Sequence, residues 1–260
     1  MTETEIDRAH QAMMADVTDD GARMRFYERL ADTELFLLLG EEPDDQAVTP
    51  ETFQIEDAQY ALVFDREERL ADFTGRAVPY AALSGRALVG MIAGQQIGLA
   101  LNPGQASSAI LIPSAAIDWL STVLGEAPEE REARIAEIAK PAGLPQNVVT
   151  GLDRKLAIAG GMARMAYLAA ARYDDGGRGH VLAFVDAPVG AESALANAAG
   201  EALRFSGIEA GTIDVMFIRA TDPVAARFAK VGLRFDLPQP EERPAKPPPG
   251  SDPEKPPRLR

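Results

Sequence analysis

The reactive inventory of this 260-residue chain is two histidines, His10 and His180, many carboxylates and no cysteine. Without thiols there is no cysteine nucleophile, disulfide or cysteine-held zinc. The two histidines have no HxxxH relation, so a zinc site would have to recruit carboxylates from elsewhere in the chain. No G-x-S-x-G elbow occurs and no S-x-x-K, so nothing points to an activated serine. Gly176-Gly177-Arg178-Gly179-His180 lies between an expected helix and an expected strand. A phosphate cradle needs the opposite order, with glycines leading from a strand into a helix N-terminus. The acidic run Glu41-Glu42-Pro43-Asp44-Asp45 offers hard oxygen ligands but lacks the spacing of a calcium loop. It reads as an exposed acidic loop. The expectation is a chain without catalytic residues, metal or cofactor.

Charge narrows the partners. Lys and Arg number 26 against 40 Asp and Glu, a net of −14. Residues 1–125 carry 8 basic and 21 acidic side chains, a net of −13, whereas residues 126–237 are close to neutral at −2. A surface so acidic repels phosphate backbones and anionic bilayers. Neither nucleic acid nor membrane is expected as a partner. No basic segment followed by an apolar core opens the chain, and no run of about 18 apolar residues occurs. The expected location is therefore the cytoplasm, and the excess of Arg over Lys, 21 to 5, with abundant alanine points to a GC-rich bacterial genome.

The segments that stand out are short. They are Leu70-Ala71-Asp72-Phe73-Thr74-Gly75, Gly98-Leu99-Ala100-Leu101-Asn102-Pro103-Gly104, and Ile117-Asp118-Trp119-Leu120. Phe73, Thr74, Asn102, Pro103 and Gly104 are the candidate binding residues. If strand ends converge there, backbone groups at Asn102 to Gly104 could take a peptide or a small anion.

The elements that must position them follow from periodicity. Ala22, Phe26 and Leu30 recur every four residues behind Thr18 or Asp19 as a cap, which predicts a helix. Leu35–Leu39 is a short apolar run and reads as a buried strand. Phe53–Ile55 and Tyr60–Phe64 read as strands joined by a hairpin. Tyr80, Leu83, Ala87, Met91 and Ile92 follow a helical period. Ile97–Leu101 and Ile110–Ile112 read as strands, the first stopped by Asn102-Pro103-Gly104. Pro113-Ser114 starts a helix. In the second half, Arg134–Ala139 is ambiguous between helix and strand. Met162, Met165, Ala166, Ala169, Ala170 and Tyr173 form one apolar stripe and predict a long helix, ended by Asp174-Asp175-Gly176-Gly177. Gly160-Gly161 then marks a kink or a break between two helices. Val181–Val185 and Ile213–Ile218 read as strands, and the stretches around Leu195–Leu203 and Ala225–Val231 as helices. No internal repeat is evident. The alternation predicts an α/β or α+β class.

Taken in order, these segments resemble the SseB family, the enhanced serine sensitivity protein B group. The first half resembles its N-terminal domain in the helix Arg25–Ala31 leading into the strand Glu34–Leu39, in the strand Tyr60–Asp65, in Phe73-Thr74, and in the strand ending Leu101-Asn102-Pro103-Gly104. The second half resembles its C-terminal domain from Pro145–Asp153 through Ala163–Ala169 to the strands Val181–Asp186 and Ile213–Ile218. Two departures are Ala71-Asp72, where the family often has an apolar strand end, and Arg234–Pro238, which only approximates its closing aromatic-proline feature. The resemblance implies that Arg134–Ala139 is a strand.

The expected organisation is a helical extension at 1–18 and two consecutive mixed α/β domains at 19–125 and 126–237. A disordered Pro-rich tail at 238–260 completes the chain. The resemblance implies little chemistry, so the expected activity is non-catalytic binding of another, unidentified protein. Two alternatives are a small-molecule sensor, suggested only by the phenotype in the family's name, and a metal-dependent carboxylate enzyme.

Overall fold

The computed structural model describes residues 3–42, 49–104, 107–125, 133–206 and 213–239. Residues 240–260 of the expected tail, residues 126–132 where the two halves meet, and Pro43-Asp44-Asp45 of the acidic run lie outside them.

The first half begins with α1 (Glu5–Ala15) and α2 (Asp20–Asp32). Thr4 and Asp7 form a reciprocal capping box on α1, and Asp19 caps α2 by accepting from the Ala22 amide. Strands β1 (Glu34–Leu38), β2 (Thr52–Ile55) and β3 (Ala58–Phe64) follow, then α3 (Glu67–Thr74), β4 (Tyr80–Ser84), α4 (Gly85–Ile92), β5 (Ile97–Leu101), β6 (Ile110–Ile112) and α5 (Ser114–Gly125). The second half runs β7 (Ile135–Ala139), α6 (Gln146–Ile158), β8 (Met165–Tyr173), β9 (Arg178–Val185), α7 (Glu192–Phe205), β10 (Ile213–Ile218), α8 (Pro223–Val231) and β11 (Leu233–Asp236). The class is α/β, with two mixed sheets. Among the described residues no helix is long and apolar enough to cross a membrane.

The first sheet has the order β4-β1-β3-β5-β6, with β2 also paired to β3. The second has the order β10-β9-β8-β11, with β7 also paired to β8. The two share a four-strand plan. A central antiparallel pair (β1–β3, β8–β9) has a parallel strand beside its second member (β5, β10). An antiparallel strand lies beside its first (β4, β11). The halves differ in which edge is built first. A similar turn closes each parallel pair, but on non-equivalent strands, after β5 in the first sheet and after β9 in the second. Asn102 and Asp186 each sit in the left-handed region, at φ 46° and 54°. Each donates its amide across the pair, to Val63 O and Ile218 O, and accepts on its side chain the amide two residues further on, from Asp65 and Ala220. Asn and Asp tolerate this conformation because their short polar side chains bond the local backbone. The correspondence lies in the pairing rather than in residue identity, which explains why no repeat is visible in the sequence.

Two faces of the first sheet differ sharply. One is buried under α2, α4 and α5 through Leu35, Leu37, Val63, Leu99, Leu101 and Ile112. The other holds only a small cluster of Leu38, Leu62, Phe64, Leu70 and Ala100, covered by α3. The halves join where Phe205, at the end of α7, enters the first half's core. Around it Lys155 Nζ lies 2.6 Å from Asp32 Oδ2 and 3.1 Å from Glu201 Oε2. Arg86 grips Glu201 bidentately at 2.6 and 2.9 Å and reaches Asp32 at 3.1 Å. Burial raises the Glu201 carboxyl, but the bonds from Arg86 and the charge of Lys155 outweigh it and hold it below its ordinary range.

Two predicted helices are corrected. Tyr80–Ile92 is not one helix: Tyr80–Ser84 is strand β4, and the helix starts at Gly85 with Ser84 Oγ accepting the Ala87 amide. Met162–Tyr173 is not helical either, because Met165–Tyr173 is the central strand β8. An alanine-rich run satisfies any period, and alanine favours helix when nothing else decides. Here Ala166 and Leu168 face one core and Tyr167, Ala169, Ala171 and Tyr173 the other. Small side chains suit a strand covered on both faces. Consequently Asp174–Gly177 is a β8–β9 hairpin turn, with Gly176 at φ 88°, and not a helix end. Gly160-Gly161 is the turn between α6 and β8, not a kink. Helices α3 and α6 were not anticipated. Ile135–Ala139 is the strand that the family resemblance implied.

Candidate functional site at the open face of the first sheet

The candidate residues gather where the parallel strands β3 and β5 end, the usual place for a site in an open α/β sheet. Phe73 closes α3, is 45% exposed, and packs its ring against Phe64 at 5.4 Å. A Cβ on Gly104 would lie 3.8 Å from the Phe73 ring, so these two residues are neighbours. Gly104 has φ 112°, which a side chain would strain. Pro103 beside it is half-buried. The Thr74 hydroxyl is within reach of Leu70 O, Ala71 O and Arg76 O, at 3.1, 3.4 and 2.9 Å, and so closes its own helix end.

Asn102 points the other way. It is 1% exposed and belongs to a buried polar cluster that the candidate list lacked. Its Oδ1 accepts the Asp65 amide at 3.0 Å and its Nδ2 donates to Ser108 Oγ at 2.7 Å. Ser108 in turn donates to Asp7 Oδ1 at 2.6 Å. Arg69, on α3, donates to Asp7 Oδ1 at 3.0 Å, to Asp65 Oδ1 at 2.8 Å, and through its other terminal nitrogen to Asp7 Oδ2. Thr4 Oγ1 donates to Asp65 Oδ2 at 2.5 Å. Burial raises the Asp7 carboxyl, but the hydrogen bonds from Arg69, Ser108 and the Thr4 amide outweigh it, so Asp7 stays ionised well below the usual carboxylate range. The cluster pins α1 and α3 across the ends of β3 and β5. The sequence carries a trace of it: Thr4 and Asp7 have capping-box spacing, and Asp65 and Arg69 lie at i, i+4. Nothing in those spacings says that the two pairs meet.

Beyond Phe73 the sheet face lies open among the described residues. Register places Tyr80, Ala82 and Ser84 beside Leu38, Phe36 and Glu34, and Phe53 beside Tyr60 on the same face. The Tyr60 ring lies over Gly98, where a Cβ would meet it at 2.7 Å. Leu111 stands beside Ala100. Among the described residues, five of the thirteen large exposed apolar side chains belong here: Phe53, Ile55, Phe73, Tyr80 and Leu111. Tyr80 packs against Phe36 and donates its hydroxyl to Glu67 at 2.9 Å. That bond raises the phenol above its ordinary range. His10 Nδ1 is 3.0 Å from Ser107 O and its ring meets Phe26 edge-on. His180 Nε2 is 3.1 Å from Ala142 O in the other half. Among the described residues, no cluster of three or more His, Asp or Glu is placed to hold a metal.

Among the described residues, this arrangement is that of a mixed-sheet domain with one face covered only in part, by α3. The sequence pattern of the SseB protein N-terminal domain matches residues 7–119, from Asp7 in the buried cluster to Trp119 on α5. Residues 7–119 thus form an SseB N-terminal domain. No curated protein matches. No solved structure matches either.

Proposed function

We propose that this protein works in the bacterial cytoplasm by binding another protein through the open face of its first sheet, without catalysis. The observation that carries this reading is the uncovered apolar face from Tyr80 to Leu111. A patch of large apolar residues on a folded surface marks an interaction site far more often than scattered single residues do. Phe73 and Gly104 extend it at the α3 end, while Thr74, Asn102 and Pro103 fix the turn that presents them. Against catalysis stands the chemistry beside the face: Asp7, Asp65 and Arg69 are buried and bonded to one another. The four-strand plan that the two sheets share supports reading residues 126–237 as the family's C-terminal domain.

The test compares full-length protein with the pair Phe73→Ser and Leu111→Ser, both exposed positions, as baits in native extract. A specific protein retained by the wild type and lost with the variant is expected. Identical captures from both, with the variant folded by circular dichroism, would refute the reading.

A further inference from the structure

The open face ends at an unusual edge. Among the described residues β4 pairs on one side only, with β1. Edge strands in natural proteins are guarded by charges, prolines or bulges. Strand β4 reads Tyr-Ala-Ala-Leu-Ser, with no charge and no proline, and its pairing with β1 is regular over all five residues. Its exposed residues, Tyr80, Ala82 and Ser84, lie on the open face.

Both ends of this edge are acidic. Glu67 is hydrogen-bonded to Tyr80 at one end, and Glu34 is the register partner of Ser84 at the other. At about 3.4 Å per residue the two ends are roughly 14 Å apart. The wider segment from Glu51 to Ser84 carries seven carboxylates and three arginines, a net of −4. A second copy of a chain with net charge −14 is a poor occupant for such an edge.

We propose that β4 is a strand-addition site for an extended, basic segment of another protein. The segment would pair with β4 and lay alternate apolar side chains beside Tyr80 and Ala82. Its flanking basic residues would meet Glu67 and Glu34. Main-chain bonds then supply affinity, and the face and the two carboxylates supply selectivity. This rests on the protein-binding reading and narrows it to one edge and one partner chemistry.

The test uses full-length protein and two fluorescein-labelled peptides. One has alternating valine and threonine between terminal lysines; in the other the lysines are glutamates. Anisotropy should show saturable binding of the lysine peptide, weakened by salt, and none of the glutamate peptide. Ala82→Lys, which puts a guarding charge on the exposed edge, and the pair Glu34→Gln with Glu67→Gln should each weaken binding about tenfold or more. Asp153→Asn, on the exposed side of α6, should leave it unchanged. If Ala82→Lys does not fold, amide exchange in the wild type decides instead: β4 amides should slow on adding the lysine peptide. Equal binding of both peptides, indifference to the β4 substitutions, unchanged β4 exchange, or self-association through β4 in sedimentation would each overturn the proposal. Should these fail while extract capture still depends on Phe73 and Leu111, protein binding stands and strand addition falls.

Discussion

Replacing Arg69 by methionine keeps a chain of similar reach but removes the cation from between Asp7 and Asp65. The Arg69 side chain is 6% exposed, and both acidic side chains are buried, Asp7 at 2% and Asp65 at 1%. Breaking a buried ion pair by deleting one partner costs about 3–5 kcal/mol, because a charge is left without compensation. For a protein of this size that is a fall of roughly 6–20 °C in Tm. The pH dependence is more diagnostic. In the wild type Asp7 is held below its unfolded value. Its contribution is therefore present above about pH 4 and lost as pH falls through the more acidic folded value. In Arg69→Met two neighbouring buried carboxylates lack a cation, so a proton is favoured on one of them and its folded pKa rises above the unfolded one. That sign is reversed: stability is lost as pH rises. The deficit of the variant should thus be largest at pH 7.5 and shrink toward pH 5, by at most about 1.4 kcal/mol per pH unit. Urea unfolding at the two pH values, followed by the single tryptophan, Trp119 on α5, reports on this half of the molecule. A deficit below about 1 kcal/mol at pH 7.5, or one equal at both pH values, would refute the assignment of this cluster as a buried, charge-compensated clamp.

Other outcomes follow from the same structure. Gly85→Ala should destabilise by about 3 kcal/mol or more, since the new Cβ would stand 1.8 Å from Leu30 O. Gly90→Ala in the same helix meets nothing within 4 Å and should stabilise by about 0.5–1 kcal/mol; urea midpoints of the two variants check the contrast. Lys155→Met and Glu201→Gln should show a coupling of about 1 kcal/mol or more in a double-mutant cycle, and limited proteolysis should show the halves parting in Lys155→Met. Glu28 is raised by burial against the opposing pull of Lys155 and with the added push of Asp32. A carboxyl raised in the folded state contributes below its unfolded pKa and loses that contribution as pH rises. Glu28→Gln should therefore flatten the decline in melting temperature as pH rises above the ordinary glutamate value of about 4.3.

Much of the frame was legible because its signals are local. Asp19 precedes an apolar period and caps α2; Asn102-Pro103-Gly104 stops β5; Phe53 to Phe64 makes a hairpin. What misled was alanine. In β8 a run such as Ala169-Ala170-Ala171 fits a helical stripe as readily as a strand, and only packing between two cores decides. Tyr80 and Leu83 likewise fit the period of Ala87 to Ile92 until Ser84 is seen to cap a helix that begins after it.

The sequence by itself determined the acidic first half, the missing thiol chemistry and the SseB N-terminal domain over residues 7–119, because these depend on composition and on ordered short segments. Only the tertiary structure decided what the candidate residues are for. It turned Asn102 inward to a cluster with Asp7, Asp65, Arg69 and Ser108, whose members are as far as 101 residues apart. It also left Phe73 outside, on a face shared with Phe53, Tyr80 and Leu111. Burial and register are properties of strands lying side by side, and no spacing along one chain encodes which face another element will leave uncovered.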